Sequence, residues 1–150
     1  MLRIDFENSV GFWIFSTKHE LSRVLNEELA AHGITHRQWE VLAWTSLDPE
    51  LSQCQLAERM SIEAPTLVGV LDRMERDGWI QRVPAEHDRR KKIIRATAKV
   101  EPVWNRMVDC AHSVRARATA GVSQSELDLL RDVLARIRAN LAMPTGADPA

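Results

Sequence analysis

A chain of 150 residues with net charge −1, 45% hydrophobic and 27% charged, has the composition of an ordinary globular protein, sized for one domain or for one domain plus a dimerisation arm. No apolar run approaches the roughly 18 residues of a membrane span. The N-terminus MLRIDFENSVGFWIF places acidic residues ahead of its apolar patch and lacks a small-residue cleavage site, so a cytoplasmic protein is expected.

Asn8 or Ser9 opens a first helix reaching about His32, with Val10, Trp13, Leu21, Val24, Leu25 and Leu29 near helical spacing. Its early part, GFWIF, is apolar nearly all round, which predicts burial against more than one partner. Gly33 ends it. Thr35 caps a second helix from His36 to about Leu47, with Trp39, Leu42 and Ala43 inward. Asp48-Pro49 marks a turn, and Leu51 is expected to add a one- or two-residue strand to a later sheet.

Ser52 then caps a short helix with Leu56, Ala57 and Met60 on one face. Residues 61–64 break the period, and Pro65, which lacks a backbone N–H, suits the first turn of the next helix. Leu67, Val70, Leu71 and Met74 fall at i, i+3, i+4 and i+7, an amphipathic stripe that Gly78 terminates. Two helices joined by a short turn predict a helix-turn-helix, with 64–77 as its recognition helix. The outer face of that helix carries Thr66, Gly69, Asp72, Arg73 and Arg76, short-chained at its start, which would let it enter a major groove. Taken alone, an ordinary solvated face explains those residues equally well.

The following segment favours the groove. Residues 79–96 read as a two-stranded wing around the turn-prone loop PAEHDRRKK, where Asp88 precedes Arg89, Arg90, Lys91 and Lys92. Such a run suits phosphate contacts and minor-groove entry. From Arg59 to Arg95 there are nine Lys/Arg against six Asp/Glu, a net of about +3 in a chain that is otherwise slightly acidic. Local positive charge fits a DNA contact face better than a general polyanion binder.

After the wing, Thr97 is expected to cap a long helix with Val100, Val103, Trp104, Met107, Val108 and Ala111 in register, reaching towards Ala120. Gly121 interrupts. Ser123 and Glu126 form a capping box for a last helix whose Leu127, Leu130, Leu134, Ile137 and Leu141 make a coiled-coil-like seam. Pro144 ends it before a small, polar tail, 143–150, expected to be flexible. The organisation is then a mainly α chain with a small β-wing: residues 35–97 form a winged helix-turn-helix, flanked by helical dimerisation regions at 1–34 and 98–142.

The run SIEAPTLVGVLDRMERDGWIQR followed by HDRRKKIIRAT resembles the winged-helix core of the MarR family of transcription regulators, and within it the SlyA-like branch. The likeness covers most of residues 8–142. It implies a homodimeric regulator, usually a repressor, on a pseudo-palindromic operator in double-stranded DNA. Arg90 would reach the minor groove, held by a salt bridge to Asp88, while Arg89, Lys91 and Lys92 contact the backbone. Pro65, Thr66, Gly69 and Arg73 are the expected groove-facing positions. Many SlyA-like relatives carry arginine where this chain has Gly69, so their operator is not implied here. The resemblance also implies a cleft for a small aromatic carboxylate, lined here by Trp13, His19, His36 and Trp39, whose filling lowers operator affinity.

No Gly-rich phosphate loop, His-Cys cluster or Ser/His/Asp constellation is recognisable, so neither an enzyme nor a cofactor or metal site is expected. Cys54 and Cys110 lack CxxC spacing, and relatives that sense oxidants carry their cysteine in the first helix, which has none here. The competing reading is a winged helix used for protein contact, which a basic wing does not favour.

Overall fold

The computed structural model describes residues 5–88 and 91–142. Among them are six helices and one two-stranded antiparallel sheet: α1 (Val10–Ala30), α2 (His36–Leu47), α3 (Gln53–Met60), α4 (Ala64–Arg76), β1 (Ile80–Pro84), β2 (Lys92–Ala96), α5 (Glu101–Ala118) and α6 (Gln124–Ala142). The chain divides into a larger compact unit ending at Arg115 and a smaller one from Ala116. No described helix is long and apolar enough to cross a membrane.

Local chemistry sets the helix starts. The Ser9 side chain accepts from the Phe12 N–H, and Thr35 and Ser52 make reciprocal capping boxes with Gln38 and Gln55. At α6 the Glu126 N–H donates to Ser123 Oγ, and the Ser123 N–H to the Glu126 carboxylate. The Ser123 hydroxyl, which donates to the same carboxylate at 2.6 Å, and then the Ser123 N–H hold the Glu126 carboxyl below its ordinary range. The α3 end is tighter: Ser61 takes a left-handed conformation (φ 52°), and the Ile62 N–H donates to the Ala57 carbonyl at 3.1 Å. This turn swings the chain from α3 into α4.

The core lies in the larger unit. Leu67, Val70, Leu71 and Met74 of α4 are all buried, against Leu42 of α2, Leu56 and Met60 of α3 and Ile80 and Ile94 of the sheet. Each fully buried side chain of this size contributes about 1.5–3 kcal/mol. Val100, just ahead of α5, and Met107 within it join the core, with Trp104 packed on Trp39 at 5.3 Å between ring centroids. Cys110 packs at its edge, where burial pushes its thiol up, and Cys54 is exposed.

Three expected boundaries move. The bridge to the sheet is made by Ser52, opposite Ile93, and not by Leu51, whose side chain is core. Thr97 caps the turn ahead of α5 and not the helix itself: its hydroxyl accepts from the Lys99 N–H at 3.3 Å and donates to the Gly78 carbonyl at 2.6 Å, and the helix begins four residues later at Glu101. That helix ends at Ala118 rather than near Ala120. Pro144 and the 143–150 tail lie outside the described residues.

Candidate nucleic-acid interface

Helix α4 differs from its neighbours at its N-terminus. Glu63 precedes it with no side-chain capping bond, and Pro65 sits in its first turn. Ala64, Pro65 and Thr66 are exposed. The first-turn N–H groups of an uncapped helix point outward with the positive end of its dipole, which favours an anion. Gly69 and Arg73 follow on the outer face, the Arg73 guanidinium 3.8 Å from where a Gly69 Cβ would stand.

The C-terminal end of α4 fixes the wing. Gly78 (φ 76°) turns the chain, the Trp79 N–H donates to the Met74 carbonyl at 2.8 Å, and Trp79 is buried. Lys99 closes this corner, with Nζ 2.7 Å from the Asp77 carbonyl and 4.3 Å from the centre of the Trp79 ring. The strands pair from Ile80 opposite Ala96 to Pro84 opposite Lys92.

Arg82, on β1, was not singled out by the sequence. One of its terminal nitrogens, Nη1, reaches the Glu75 carboxylate at 2.7 Å; the other, Nη2, reaches Asp72 at 2.6 Å and the Val68 carbonyl at 3.4 Å. Its backbone N–H donates to Glu75 as well, at 2.9 Å. With its side chain only 19% exposed, Arg82 bolts the wing to the recognition helix through two carboxylates one helical turn apart. The available signal was Asp72 and Glu75 at i, i+3, followed by an arginine past the turn.

At the wing tip, the Lys91 N–H donates to the Asp88 carbonyl at 2.9 Å and the Ala85 N–H to the Lys91 carbonyl at 3.0 Å. Asp88 is half-buried, and Lys91 and Lys92 are exposed. Both lysines border a shallow groove with Ser52, Gln53 and Cys54 at the start of α3. Arg89 and Arg90 lie outside the described residues, as does any Asp88–Arg90 pairing. Other cations of this segment are engaged: Arg95 with Glu50 at 3.0 Å, Arg76 with Asp77 at 3.0 Å, and Arg59 with Asp48 at 3.7 Å and over the Trp44 ring.

The residues expected to hold an aromatic anion are placed differently from one another. Trp13 is 60% exposed on α1, and His19 is stacked on Phe15. His36 is half-buried; its backbone N–H donates to the side-chain Oδ1 of Asn26 at 2.6 Å and its ring lies 3.8 Å from Glu40. Burial lowers its pKa, Glu40 opposes that, and Arg37 and Lys18 reinforce it. Trp39 faces Trp104. A cleft of about 270 Å³ opens between the end of α2, β2 and the start of α5, lined by Leu42, Thr45, Ile94, Arg95, Val100 and Trp104 among others; none of the four lines it.

A helix-turn-helix whose second helix is locked to a basic two-stranded wing defines a winged helix-turn-helix DNA-binding fold. The model of the MarR family matches residues 32–91. The crystal structure of the transcriptional regulator PA3341 is 31% identical, with a TM-score of 0.81 over 89% of this chain and 98% of that one. The transcriptional regulator PA4135 is 25% identical, with a TM-score of 0.76 over 91% and 98%. A mutant MarR from E. coli complexed with operator DNA is 22% identical, with a TM-score of 0.78 over 89% and 99%, a likeness of fold alone. The chain belongs to the MarR family of transcription regulators.

Proposed function

We propose that this protein is a homodimeric, SlyA-like repressor that reads a pseudo-palindromic operator, with α4 in the major groove and the wing against the backbone and minor groove. The observation that carries this reading is the open N-terminus of α4: alone among α1, α2, α3, α4 and α6 it has no side-chain cap, and Ala64, Pro65 and Thr66 stand exposed there. A phosphate would take the place of the missing cap. Pro65 and Thr66 then meet the backbone, Gly69 and Arg73 face the bases, and Arg89, Lys91 and Lys92 hold phosphates. Arg90 enters the minor groove, oriented by Asp88. The regions 1–34 and 98–142 supply the dimer contacts. Exposed apolar side chains support this on each region separately: Phe15 of α1 is 70% exposed, and Leu141 of the α6 seam 81%.

Two-fold symmetry would place the recognition helices about one DNA turn apart. Binding to a pool of random duplexes, sequenced after selection at two salt concentrations, tests this. An enriched palindrome with half-sites at that spacing is expected. Weak binding that vanishes in salt and enriches nothing would overturn the reading and favour a protein-contact wing.

Release by a small aromatic carboxylate at Trp13, His19, His36 and Trp39 belongs to the same reading. Arg37 and Lys18 bring positive charge to His36, set against the larger influence of the Glu40 carboxylate 3.8 Å from its ring. A calorimetric titration with salicylate that gives no heat and no loss of operator affinity would remove that part.

A further inference from the structure

Resting on the DNA-reading function above, we propose that Arg73, laid across the bare backbone of Gly69, is the residue of α4 that specifies sequence, and that its target is a guanine in the major groove. Side chains on a helix lean towards its N-terminus, so a residue covers the turn before its own. Arg73 follows this rule: its Nη1 lies over Gly69, 3.8 Å from where a Cβ would stand. Among the described residues that is the only heavy atom within 4 Å, apart from the chain neighbours and the helix's own backbone, and Gly69 has no positive φ. No described residue therefore requires glycine at this position, although glycine is a poorer helix former than alanine. A Cβ there would only touch the guanidinium, but a longer side chain would fill the space on the outer face in which it lies, one turn towards the helix N-terminus.

The charges around α4 single out the same residue. Arg82 is held by Asp72 and Glu75, Arg76 by Asp77, Arg59 by Asp48 and Arg95 by Glu50. Arg73 has no carboxylate and no side-chain hydrogen bond among the described residues, and it is exposed. Its five N–H donors remain available in a planar fork. That fork matches the O6 and N7 acceptors of guanine, whereas adenine presents one acceptor and one donor that a guanidinium cannot satisfy together.

The test extends the selection from random duplexes to Arg73→Ala and Gly69→Met, with thermal unfolding measured alongside. Wild type is expected to enrich a half-site containing a guanine whose replacement weakens binding about 5- to 150-fold. Arg73→Ala should lose preference at that base pair alone and keep the rest of the half-site. Gly69→Met should lose the same preference while its melting temperature holds or rises, an outcome that damage to the fold would not give. A wild-type palindrome whose every preference survives in Arg73→Ala overturns the assignment and leaves the DNA-reading function standing. Survival in Gly69→Met alone overturns the part given to Gly69. A wild type that enriches nothing overturns both.

Discussion

The winged segment and the first half of α1 both carry dense runs of large apolar residues, and they treat them in opposite ways. From Leu51 to Val100 the apolar side chains close on one another: Leu56, Leu67, Leu71, Met74, Ile80 and Ile94 are all buried. In α1 the run Trp13, Ile14, Phe15 stays exposed, and only Leu29, at the far end, is buried. The first pattern has one face, and a single chain can cover it. The second wraps the helix, and no single neighbour covers a whole circumference. Apolar content alone thus does not locate a core; its angular spread does.

Substitutions can sharpen that contrast, beginning with the largest effect. Leu71→Ala removes a fully buried side chain from the closed region and should cost about 2–5 kcal/mol in urea unfolding. Arg82→Ala removes the cation shared by Asp72 and Glu75 and should cost about 0.5–1.5 kcal/mol, because water can still reach both carboxylates. Arg82→Lys should not restore it, because one ammonium does not reproduce a fork that reaches two carboxylates. Ser61→Gly relieves the left-handed turn between α3 and α4 and should raise stability by up to about 1 kcal/mol. Phe15→Ser, in the open region, should change the unfolding of dilute protein by less than about 0.5 kcal/mol. It should nevertheless abolish any dependence of the melting temperature on protein concentration. If it destabilises the dilute protein as Leu71→Ala does, the contrast between the two regions is wrong.

The start of α2 also carries a pH signature. Burial depresses His36 below the ordinary 6.5, with Glu40 opposing and Arg37 and Lys18 assisting. The folded state therefore binds a proton less readily than the unfolded one. This contribution to stability is complete above pH 6.5 and is lost as pH falls through the folded value. His36→Gln should flatten that part of the stability profile, and an unchanged slope would assign it elsewhere.

Much of this was legible in the residues. The stripe Leu67, Val70, Leu71, Met74 is the buried face of α4, and Ser9, Thr35, Ser52 and Ser123 cap where capping chemistry placed them. Arg82 was not legible, because its partners lie seven and ten residues back on a different element, and periodicity reports nothing across a turn. Thr97 was half legible for a related reason: its hydroxyl does accept from a following N–H, that of Lys99, yet it donates to Gly78, nineteen residues away, and the helix starts only at Glu101. Gly69 could be read as a small residue on the outer face of α4, but that Arg73 lies over it is a fact of side-chain direction visible only in three dimensions.

The clasp around Arg82 has a mechanical consequence. With Asp72, Glu75 and the Val68 carbonyl on one side and β1 on the other, helix and wing lose their separate degrees of freedom and travel as one body. For a regulator of the kind proposed, a half-site is then gripped or let go as a whole. A controlling ligand has no handle on either contact alone, and what remains adjustable is the distance from one head to its twin.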